Sequence, residues 1–492
     1  MGLIRKSLSF SIAVGLSRAL GYFRDLALAY QFGASNISDA FFIAFRIPNT
    51  LRRIFGEGGL NAVLVPMLVR RKEKGTERQL ASSSLFYLGL LGLILSALGA
   101  IFAEFIVKVI APGKKDESLE LAIYLTRFCF SYIFFLTIGS VAGAALNAKG
   151  RFFAPASAQG IFNLVFALII TFGAKDLGID ALAIGVFFGG LLQAAFQLLN
   201  ARKEVYLSPF IDRELKIVFK NLTPALLGFG ISQLSLFVDT FMASFLKEGA
   251  ISYLYYANRV FQLPLGMVSA GVATVLLSVL SESKMQKENL NLGIKIIILI
   301  SLPAKVGLFL LSFEITQLLF LRGNFSAEDA QLTGRVLQIY SLGLLFFSIQ
   351  KVIASLYFSQ SRLKTVLVIS LLSVLTEAIS GFFFAFYLKM GVFGLALSNV
   401  VASLIGFLFS IASGAYRLIS FKFLYEGAIK ALIASFFMGM VIVFTKPEGK
   451  SLIFEIPLLA LLYFGILLIL RERITLAGFK RVKDFISARY SS

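Results

Sequence analysis

The stretch from Leu85 to Ile110 reads LFYLGLLGLILSALGAIFAEFIVKVI, and its two charged residues, Glu104 and Lys108, both lie in its last third. The apolar residues fall on every face of a helix, so no continuous polar face is left for water. A helix needs about 20 mostly apolar residues to cross a bilayer. This stretch therefore predicts a transmembrane helix.

Similar runs recur along the whole chain, around 162–172, 294–311, 366–386 and 452–470. The 492 residues are 58% hydrophobic, and the mean hydropathy is +0.85. Backbone in lipid must satisfy its own hydrogen bonds, which leaves helices and closed barrels. A barrel would show strands of about ten residues with alternating polarity. The sequence therefore predicts an all-α membrane protein.

The apolar runs and the loops between them predict about 14 transmembrane helices with both termini in the cytoplasm. With this topology about 27 Lys and Arg fall in cytoplasmic loops and about 8 in the opposite loops, as the positive-inside rule expects. The predicted bounds are 5–33, 37–69, 80–111, 119–147, 153–173, 179–201, 215–246, 250–281, 292–320, 327–359, 364–388, 391–416, 423–444 and 452–471.

Charge and cysteine content exclude several other classes of protein. The net charge is +20, from 47 basic and 27 acidic residues, and we assign the excess to the cytoplasmic loops rather than to a nucleic-acid surface. The chain has no histidine and one cysteine, Cys129. Histidine-based catalysis, thiolate metal clusters and an intramolecular disulfide are therefore excluded. We expect no organic cofactor.

The charged positions inside the helices repeat once along the chain. Asp25 is followed by Arg46 after 21 residues, and Asp239 is followed by Arg259 after 20. Asn147 to Arg151 likewise parallels Phe358 to Arg362, so the offset is about 211–214 residues. Six helices fit in this period, so both copies have the same orientation in the membrane. Chance similarity between apolar segments is the alternative. The predicted organisation is two pseudo-symmetric six-helix lobes, 1–204 and 205–420, followed by 421–492, which holds two additional helices and a basic cytoplasmic tail.

Several arginines fall inside the predicted helices. An arginine at the bilayer centre costs at least about 2.5–3.5 kcal/mol unless it meets water or an acidic partner. Internal ion pairs are one explanation, and a hydrated cationic cavity is the other. The guanidinium group suits phosphate through its planar, permanently charged fork. The cavity hypothesis therefore predicts an anionic substrate, most naturally a phosphate or pyrophosphate. The arginines are Arg18, Arg24, Arg52, Arg53 and Arg259, and the candidate acidic partners are Asp25, Asp39, Glu57 and Asp239.

Glycine and proline mark points where the helices are expected to bend. Gly56, Gly58 and Gly59 surround Glu57 in the second predicted helix, and each glycine weakens a helix by about 1 kcal/mol. This stretch is either a bend or gate, with Glu57 closing on an arginine, or a close packing site for another helix. Further kinks are predicted at Pro48, Pro66, Pro264 and Pro303.

A set of charged and glycine-containing motifs extends along the chain. The motifs are Ser17-Arg18 with Gly21 and Arg24-Asp25, Phe32-Gly33-Ala34, Asp39-Ala40-Phe41, Phe45-Arg46-Ile47-Pro48-Asn49, Leu51-Arg52-Arg53, Phe55-Gly56-Glu57-Gly58, Val65-Pro66, Leu146 to Phe152 with Pro155, Tyr255 to Arg259 with Gln262-Leu263-Pro264, and Leu319-Phe320 with Arg322-Gly323 and Phe325. With these motifs the chain resembles a known family, the MurJ lipid II flippases, over essentially its whole length. The first 70 residues are the most specific part of this resemblance.

The resemblance implies a protein of the bacterial inner membrane that moves lipid II from the cytoplasmic to the periplasmic leaflet for peptidoglycan synthesis. Lipid II is the undecaprenyl-diphosphate-linked disaccharide-pentapeptide. It implies no enzymatic activity, a monomer in contact with membrane lipids, and association with the cell-wall synthesis machinery. The implied substrate-binding residues are Arg18, Arg24, Asp25, Arg52 and Arg259. The implied gate or supporting residues are Ser17, Asp39, Arg53, Glu57 and Gly58.

Some members of the family hold a sodium ion in the C-terminal lobe, and Asp239 matches one of its ligands. The eleventh predicted helix departs from the family pattern, because Glu377 stands where asparagine or aspartate ligands are expected. Lys364-Thr365-Val366 also replaces the usual Lys-Thr-Pro sequence. The resemblance thus leaves sodium as an expected ion with one matching ligand.

Three other functions remain as alternatives at this stage. The first is a flippase or exporter of another lipid-linked glycan or of small drugs. The second is a membrane-embedded transferase, which would need a carboxylate cluster with a metal or nucleotide motif. The third is a channel, for which the sequence offers no pore-loop motif. Alternating access of the two lobes around the arginines is the mechanism we expect.

Overall fold

The computed structural model describes residues 2–56, 59–222, 233–282, 285–477 and 479. Across these residues the secondary structure consists of helices and their connections, with no strand. The chain divides into two compact units, the first formed by Met1–Ser252 with Arg322–Ser326 and the second by Tyr253–Leu321 with Ala327–Ser492. The predicted all-α class is confirmed.

The first unit contains twelve helical segments among its described residues. They are α1 (Gly2–Phe32), α2 (Asn36–Ala44), α3 (Arg46–Gly56), α4 (Gly59–Lys72), α5 (Glu77–Ile101), α6 (Ala103–Ile110), α7 (Asp116–Cys129), α8 (Ser131–Ala148), α9 (Phe153–Leu177), α10 (Asp180–Asn200), α11 (215–222) and α12 (Leu234–Ala243), with the start of α13 (Ala250–Pro264).

The second unit takes up the rest of α13 and the helices that follow. They are a π-helix (Leu265–Ser269), α14 (Ala270–Glu282), α15 (Gln286–Leu310), α16 (Ser312–Phe320), α17 (Ala327–Ser359), α18 (Leu363–Phe382), a π-helix (Phe383–Tyr387), α19 (Val392–Ala412), α20 (Phe421–Thr445) and α21 (Leu452–Ile469), with 3₁₀ turns at Ala415–Arg417 and Gly449–Ser451. In the part of the chain that the structure describes, ten helices are long and apolar enough to cross a membrane.

Proline explains two departures from straight helices. The predicted helix 37–69 is divided, since α2 ends at Ala44 and α3 begins at Arg46. Pro48 then lies in the first turn of α3, where a missing N–H breaks no intrahelical bond. Pro264 ends α13, and a π-helical turn follows it. Glu57 and Gly58, part of the predicted bend, lie outside the described residues.

An aromatic stack forms the centre of the first unit. The ring of Phe45 stacks on Phe41 and on Phe162, with centroids 5.6 and 5.8 Å apart. Phe162 also meets Tyr132 at 4.7 Å, and Phe166 lies 5.3 Å from Phe41. The five rings join α2, α8 and α9, and each is at least 90% buried. Aromatic pairs at these distances stabilise packing beyond the area that they bury.

The second unit is held by an aliphatic core that is completed by one buried ion pair. α15 packs on α17 and α20, and α19 packs on α17 and α18. The Tyr463 hydroxyl of α21 donates to the Leu299 carbonyl at 2.6 Å. Lys295 lies 3.0 Å from Glu472, and the two side chains are only 3% and 1% exposed. Glu472 thereby ties the end of the α20–α21 segment to α15.

Candidate functional site

The first two predicted site residues, Arg24 and Asp25, form a buried ion pair on α1. Arg24 donates from Nη2 and Nε to Asp25 Oδ1, at 2.6 and 3.0 Å. Arg24 is 9% exposed and Asp25 2%. A lone arginine would be strongly disfavoured at this depth, and the adjacent carboxylate provides the compensating charge. The internal-pairing explanation therefore holds for Arg24 in this conformation.

Asn163 of α9 connects this ion pair to the backbone of α1. Its Oδ1 accepts from Arg24 Nη1 at 3.3 Å, and its Nδ2 donates to the Ser17 carbonyl at 3.2 Å. The Ser17 hydroxyl donates in turn to the Ala156 carbonyl at 2.9 Å. These bonds cross the α1–α9 contact, one of the most extensive in the first unit. The structure thus brings Ser17, Arg24 and Asp25 together in one network.

The remaining arginines of the first unit lie in other surroundings. Arg18 is exposed on α1. Arg52 is half-buried on α3 and donates from Nε to Asn49 Oδ1 at 3.0 Å. Arg53, on the same helix, donates from Nη1 to Gln233 Oε1 at 3.0 Å. The guanidinium groups of Arg52 and Arg53 are therefore each oriented by a neutral amide oxygen.

Asp39 is fully buried on α2 and accepts hydrogen bonds on both carboxylate oxygens. Oδ1 accepts from the Ser252 N–H at 2.9 Å and from the Ser252 hydroxyl at 2.7 Å. Oδ2 accepts from the Gly249 N–H at 3.1 Å and from Lys114 Nζ at 2.9 Å. The first N–H groups of α13 have no intrahelical acceptor, so Asp39 serves as their cap from a different helix.

Three neighbouring contacts hold the same end of the first unit. The Asn36 N–H donates to Glu248 Oε1 at 2.8 Å, and the Gly113 N–H donates to the Ser244 hydroxyl at 3.0 Å. The Asn324 N–H donates to the Tyr30 carbonyl at 2.8 Å. Four of these residues lie in loops that the sequence predicts on the non-cytoplasmic side. The other two, Tyr30 and Ser244, lie at the ends of the predicted helices beside those loops. The connections around 33–36, 111–115, 244–252 and 322–326 thus meet at one end of the unit.

Gly33 and Gly323 make the last of these contacts possible. Both have a positive φ, +61° and +60°, which L side chains rarely adopt. A Cβ at Gly33 would lie 2.3 Å from the Asn324 carbonyl oxygen, and a Cβ at Gly323 would lie 2.2 Å from that of Tyr30. Only glycine allows the two backbones to approach this closely.

Two further predicted residues lie on α12 and α13. Arg259 is half-buried on the part of α13 that belongs to the second unit, with its guanidinium 5.9 Å from the centre of the Tyr255 ring. Asp239, the expected sodium ligand, is 7% exposed on α12 of the first unit. Glu377 is 3% exposed in the second unit. Among the described residues, no group of three or more His, Cys, Asp or Glu is placed to hold a metal ion.

Three residues of these networks are not among the site residues predicted from the sequence. Asn163 could have been found, because an amide inside the apolar run 162–172 is unusual in a membrane helix. Lys114 falls in the predicted loop between helices 80–111 and 119–147, where a lysine is expected to be exposed, whereas it is 7% exposed and paired with Asp39. Ser252 precedes the Tyr255–Arg259 motif, and nothing in the sequence around it indicates a functional role.

Among the described residues, ten helices are long and apolar enough to cross a membrane, and charged residues such as Arg24 and Asp39 are buried between helices. This combination is typical of multi-spanning membrane transporters. The model of the family described as lipid II flippase MurJ matches residues 28–461. The probable lipid II flippase MurJ of Aquifex aeolicus is 38% identical over 483 residues, 96% of each chain. The chain therefore belongs to the MurJ family.

Solved structures agree with this assignment. The chain is similar to a lipid II flippase MurJ in an inward closed conformation, with a TM-score of 0.82 and 30% identity over 94% of this chain and 97% of the other. It also resembles an inward-facing multidrug resistance MATE family transporter of the MOP superfamily, with a TM-score of 0.69 and 16% identity over 82% and 94% of the two chains. The second likeness shows a shared fold.

Proposed function

We propose that this chain flips lipid II from the cytoplasmic to the periplasmic leaflet of a bacterial inner membrane. The observation that carries the proposal is the buried Arg24–Asp25–Asn163 network inside membrane helices of a MurJ family member. Buried ionisable groups in membrane helices mark substrate or ion pathways. The activity is transport rather than catalysis.

The proposed topology has 14 membrane helices, arranged as two six-helix lobes and two additional helices, with both termini in the cytoplasm. The predicted lobe bounds, 1–204 and 205–420, remain predictions from the internal repeat. The repeat also motivates alternating access, in which the lobes rock to open a central site to each side in turn. Transport by a monomer, and its association with cell-wall synthesis proteins, belong to the same proposal.

The diphosphate of the lipid headgroup is the proposed ligand of the arginines. Arg24, Arg52 and Arg259 would hold it, with Arg18 nearby, because planar guanidinium forks suit phosphate oxygens. In this conformation Asp25 already forms an ion pair with Arg24, with Oδ1 2.6 Å from Nη2. The diphosphate would compete with that carboxylate, and Asp25 would take the guanidinium back after release. This exchange avoids leaving either charge unpaired in lipid at any stage.

The polyprenyl tail would remain in apolar surroundings while the headgroup crosses. The second unit has an apolar cavity of about 460 Å³ between α15, α17, α19 and α20. Ile298, Phe407 and Leu424 line it. A cavity of this lining accepts hydrocarbon at the boundary of the additional helices, which supports the proposed contact with an isoprenoid chain.

Arg259 provides a test of the proposed site. Purified protein in vesicles would be assayed for the leaflet accessibility of lipid II, with and without sodium and a membrane potential. We expect Arg259→Ala to lose flipping while its melting temperature stays near that of the unmodified protein. Arg335→Ala is the matched control, because Arg335 is an exposed arginine that stacks on Phe393. Unimpaired flipping by Arg259→Ala would contradict the proposed role of the arginines.

The same vesicles test the substrate. Binding of lipid II that a lipid-linked O-antigen precursor does not displace would support the proposal. Equal competition by that precursor, or by a cationic drug, would favour the export of other glycans or of drugs. Replacement of Asp239 by alanine tests sodium, since a sodium-dependent rate that survives this change would remove Asp239 from the ligands.

A further inference from the structure

The corner between α12 and α13, residues 244–252, is held by a buried ion pair that the loop pattern of the sequence did not predict. Lys114 lies 2.9 Å from Asp39, and the two side chains are 6% and 0% exposed. Lys115, the next residue along the same loop, is exposed. The burial of one lysine beside an exposed one indicates that the Lys114 charge has a specific role.

The buried Asp39 carboxylate needs a nearby cation because its other hydrogen-bond donors are neutral groups. Its two oxygens accept from the Gly249 N–H, the Ser252 N–H and the Ser252 hydroxyl, all within 3.1 Å. An amide in its place would aim an NH₂ group at backbone donors on one side, so a carboxylate is required. A fully buried carboxylate with only neutral partners would be strongly disfavoured. Lys114 supplies the compensating charge.

Lys114 is held to Asp39 by its own surroundings rather than by the corner alone. Its loop connects α6 to α7, and α7 packs on α2, the helix that carries Asp39. The Lys114 N–H donates to the Ala111 carbonyl at 3.1 Å, which fixes the turn of this loop. If the corner moved away, the loop and α2 would stay together and the ion pair would remain.

We propose that Lys114 is a positioning residue for Asp39 in a latch that closes the non-cytoplasmic side of the transporter. The latch consists of Asp39, Lys114 and the corner 244–252. This proposal rests on the function proposed above, because the latch must open for substrate to leave. Lys114 stabilises the closed state in particular, since a pair surrounded by water contributes little and a buried carboxylate without its partner is costly.

The position of the latch can be measured with a single reporter cysteine. Cys129 is first replaced by serine, and Ala250, which is 3% exposed at the start of α13, is replaced by cysteine. A membrane-impermeant thiol reagent added from the non-cytoplasmic side then labels position 250 at a rate that reports opening. We expect Lys114→Met to raise this rate about tenfold or more. Lys114→Arg, which keeps the charge, should restore slow labelling, and Lys115→Met should leave the rate unchanged.

A second comparison separates positioning from a general loss of structure. In an Asp39→Ala background, Lys114 has no carboxylate to neutralise, so adding Lys114→Met should not raise labelling further. This double variant has no stranded charge, and it serves the test even if Lys114→Met alone folds poorly. A further increase in the double variant, or a normal labelling rate in well-folded Lys114→Met, would overturn the proposal.

The labelling assay tests the latch and the flipping assay tests the proposed function, so either proposal can be contradicted without the other. The labelling rate needs no lipid II, so a latch that responds to Lys114 in a protein that does not flip lipid II would contradict the proposed function alone. Normal flipping together with labelling that ignores Lys114 would contradict the latch alone.

Discussion

The Arg24–Asp25 pair allows a substrate-binding arginine to be distinguished from a structural one. Arg24→Ala removes two hydrogen bonds to Asp25 and one to Asn163. It also leaves Asp25, which is 2% exposed, without its guanidinium. Loss of one partner of a buried pair costs about 3–5 kcal/mol. A simple loss of flipping by this variant would therefore have two explanations, a weaker fold and a lost ligand contact.

The double variant Arg24→Ala/Asp25→Ala resolves this ambiguity. The unpaired charge is gone, so most of the lost stability should return, leaving about 1 kcal/mol for the contact with Asn163. A unit of roughly 250 residues has an unfolding entropy of about 0.5 kcal/mol/K, so 3–5 kcal/mol corresponds to about 6–10 °C. We expect the single variant to melt lower by this amount and the double variant to melt within about 2 °C of the unmodified protein.

We expect the double variant to regain thermal stability but not the flipping of lipid II. If Arg24 binds the diphosphate, the double variant folds but moves lipid II no better than the single variant in the vesicle assay. Asp25→Ala alone completes the thermodynamic cycle and measures the cost of stranding Arg24 instead. Recovery of both melting temperature and flipping in the double variant would refute substrate binding by Arg24 and leave it a purely structural role.

Two further predictions concern charged contacts near the predicted cytoplasmic face. Arg71 forms a two-bond fork with Asp212, at 2.6 and 2.8 Å. Burial acts to lower the pKa of Arg71, but the hydrogen bonds and charge of Asp212, helped by Glu214, outweigh it and raise the pKa overall. Arg71→Ala should make the connection at 202–214 at least about tenfold more sensitive to a protease, measured on purified protein, and unchanged cleavage would mean that the fork does not restrain it. For Glu472, burial acts to raise the pKa, but the Thr475 N–H and Lys295 outweigh it and lower the pKa overall. The stability that Glu472 contributes is therefore complete above the ordinary glutamate pKa of about 4.3 and is lost as the pH falls through the depressed value. The melting-temperature gap between the unmodified protein and Glu472→Gln should be constant from pH 8 to pH 6 and should shrink below about pH 4, and a gap that grows on acidification would reverse the assignment.

Helix positions were largely predictable because lipid imposes a length and a polarity that can be read locally. The predicted helix 327–359 has the bounds found for α17, and 153–173 begins where α9 begins. Helix breaks were less predictable. Pro48 was predicted to kink a continuous helix, and the structure instead ends one helix at Ala44 and starts the next at Arg46. A proline defines which backbone bond is lost, but the packing around it decides whether the helix bends or ends there.

The partners of the buried charged residues could not be predicted from the sequence. The sequence showed that Arg24 and Asp39 could not face lipid, because the free-energy cost of placing a charge in hydrocarbon depends only on the residue and its depth. It could not show that Asn163 lies beside Arg24 or that Lys114 lies beside Asp39, which are 139 and 75 residues apart along the chain.

Hydropathy and short motifs were enough to identify a helical membrane transporter of the MurJ family with arginines inside its helices. Both are local properties, so they can be recognised without knowledge of any tertiary contact. Contacts in the folded structure were needed to show that Arg24 is paired with Asp25, that Asp39 caps α13, and that a loop lysine is buried. These facts depend on contacts between distant segments, and ion pairs in a medium of low dielectric constant are decided by ångström-scale geometry.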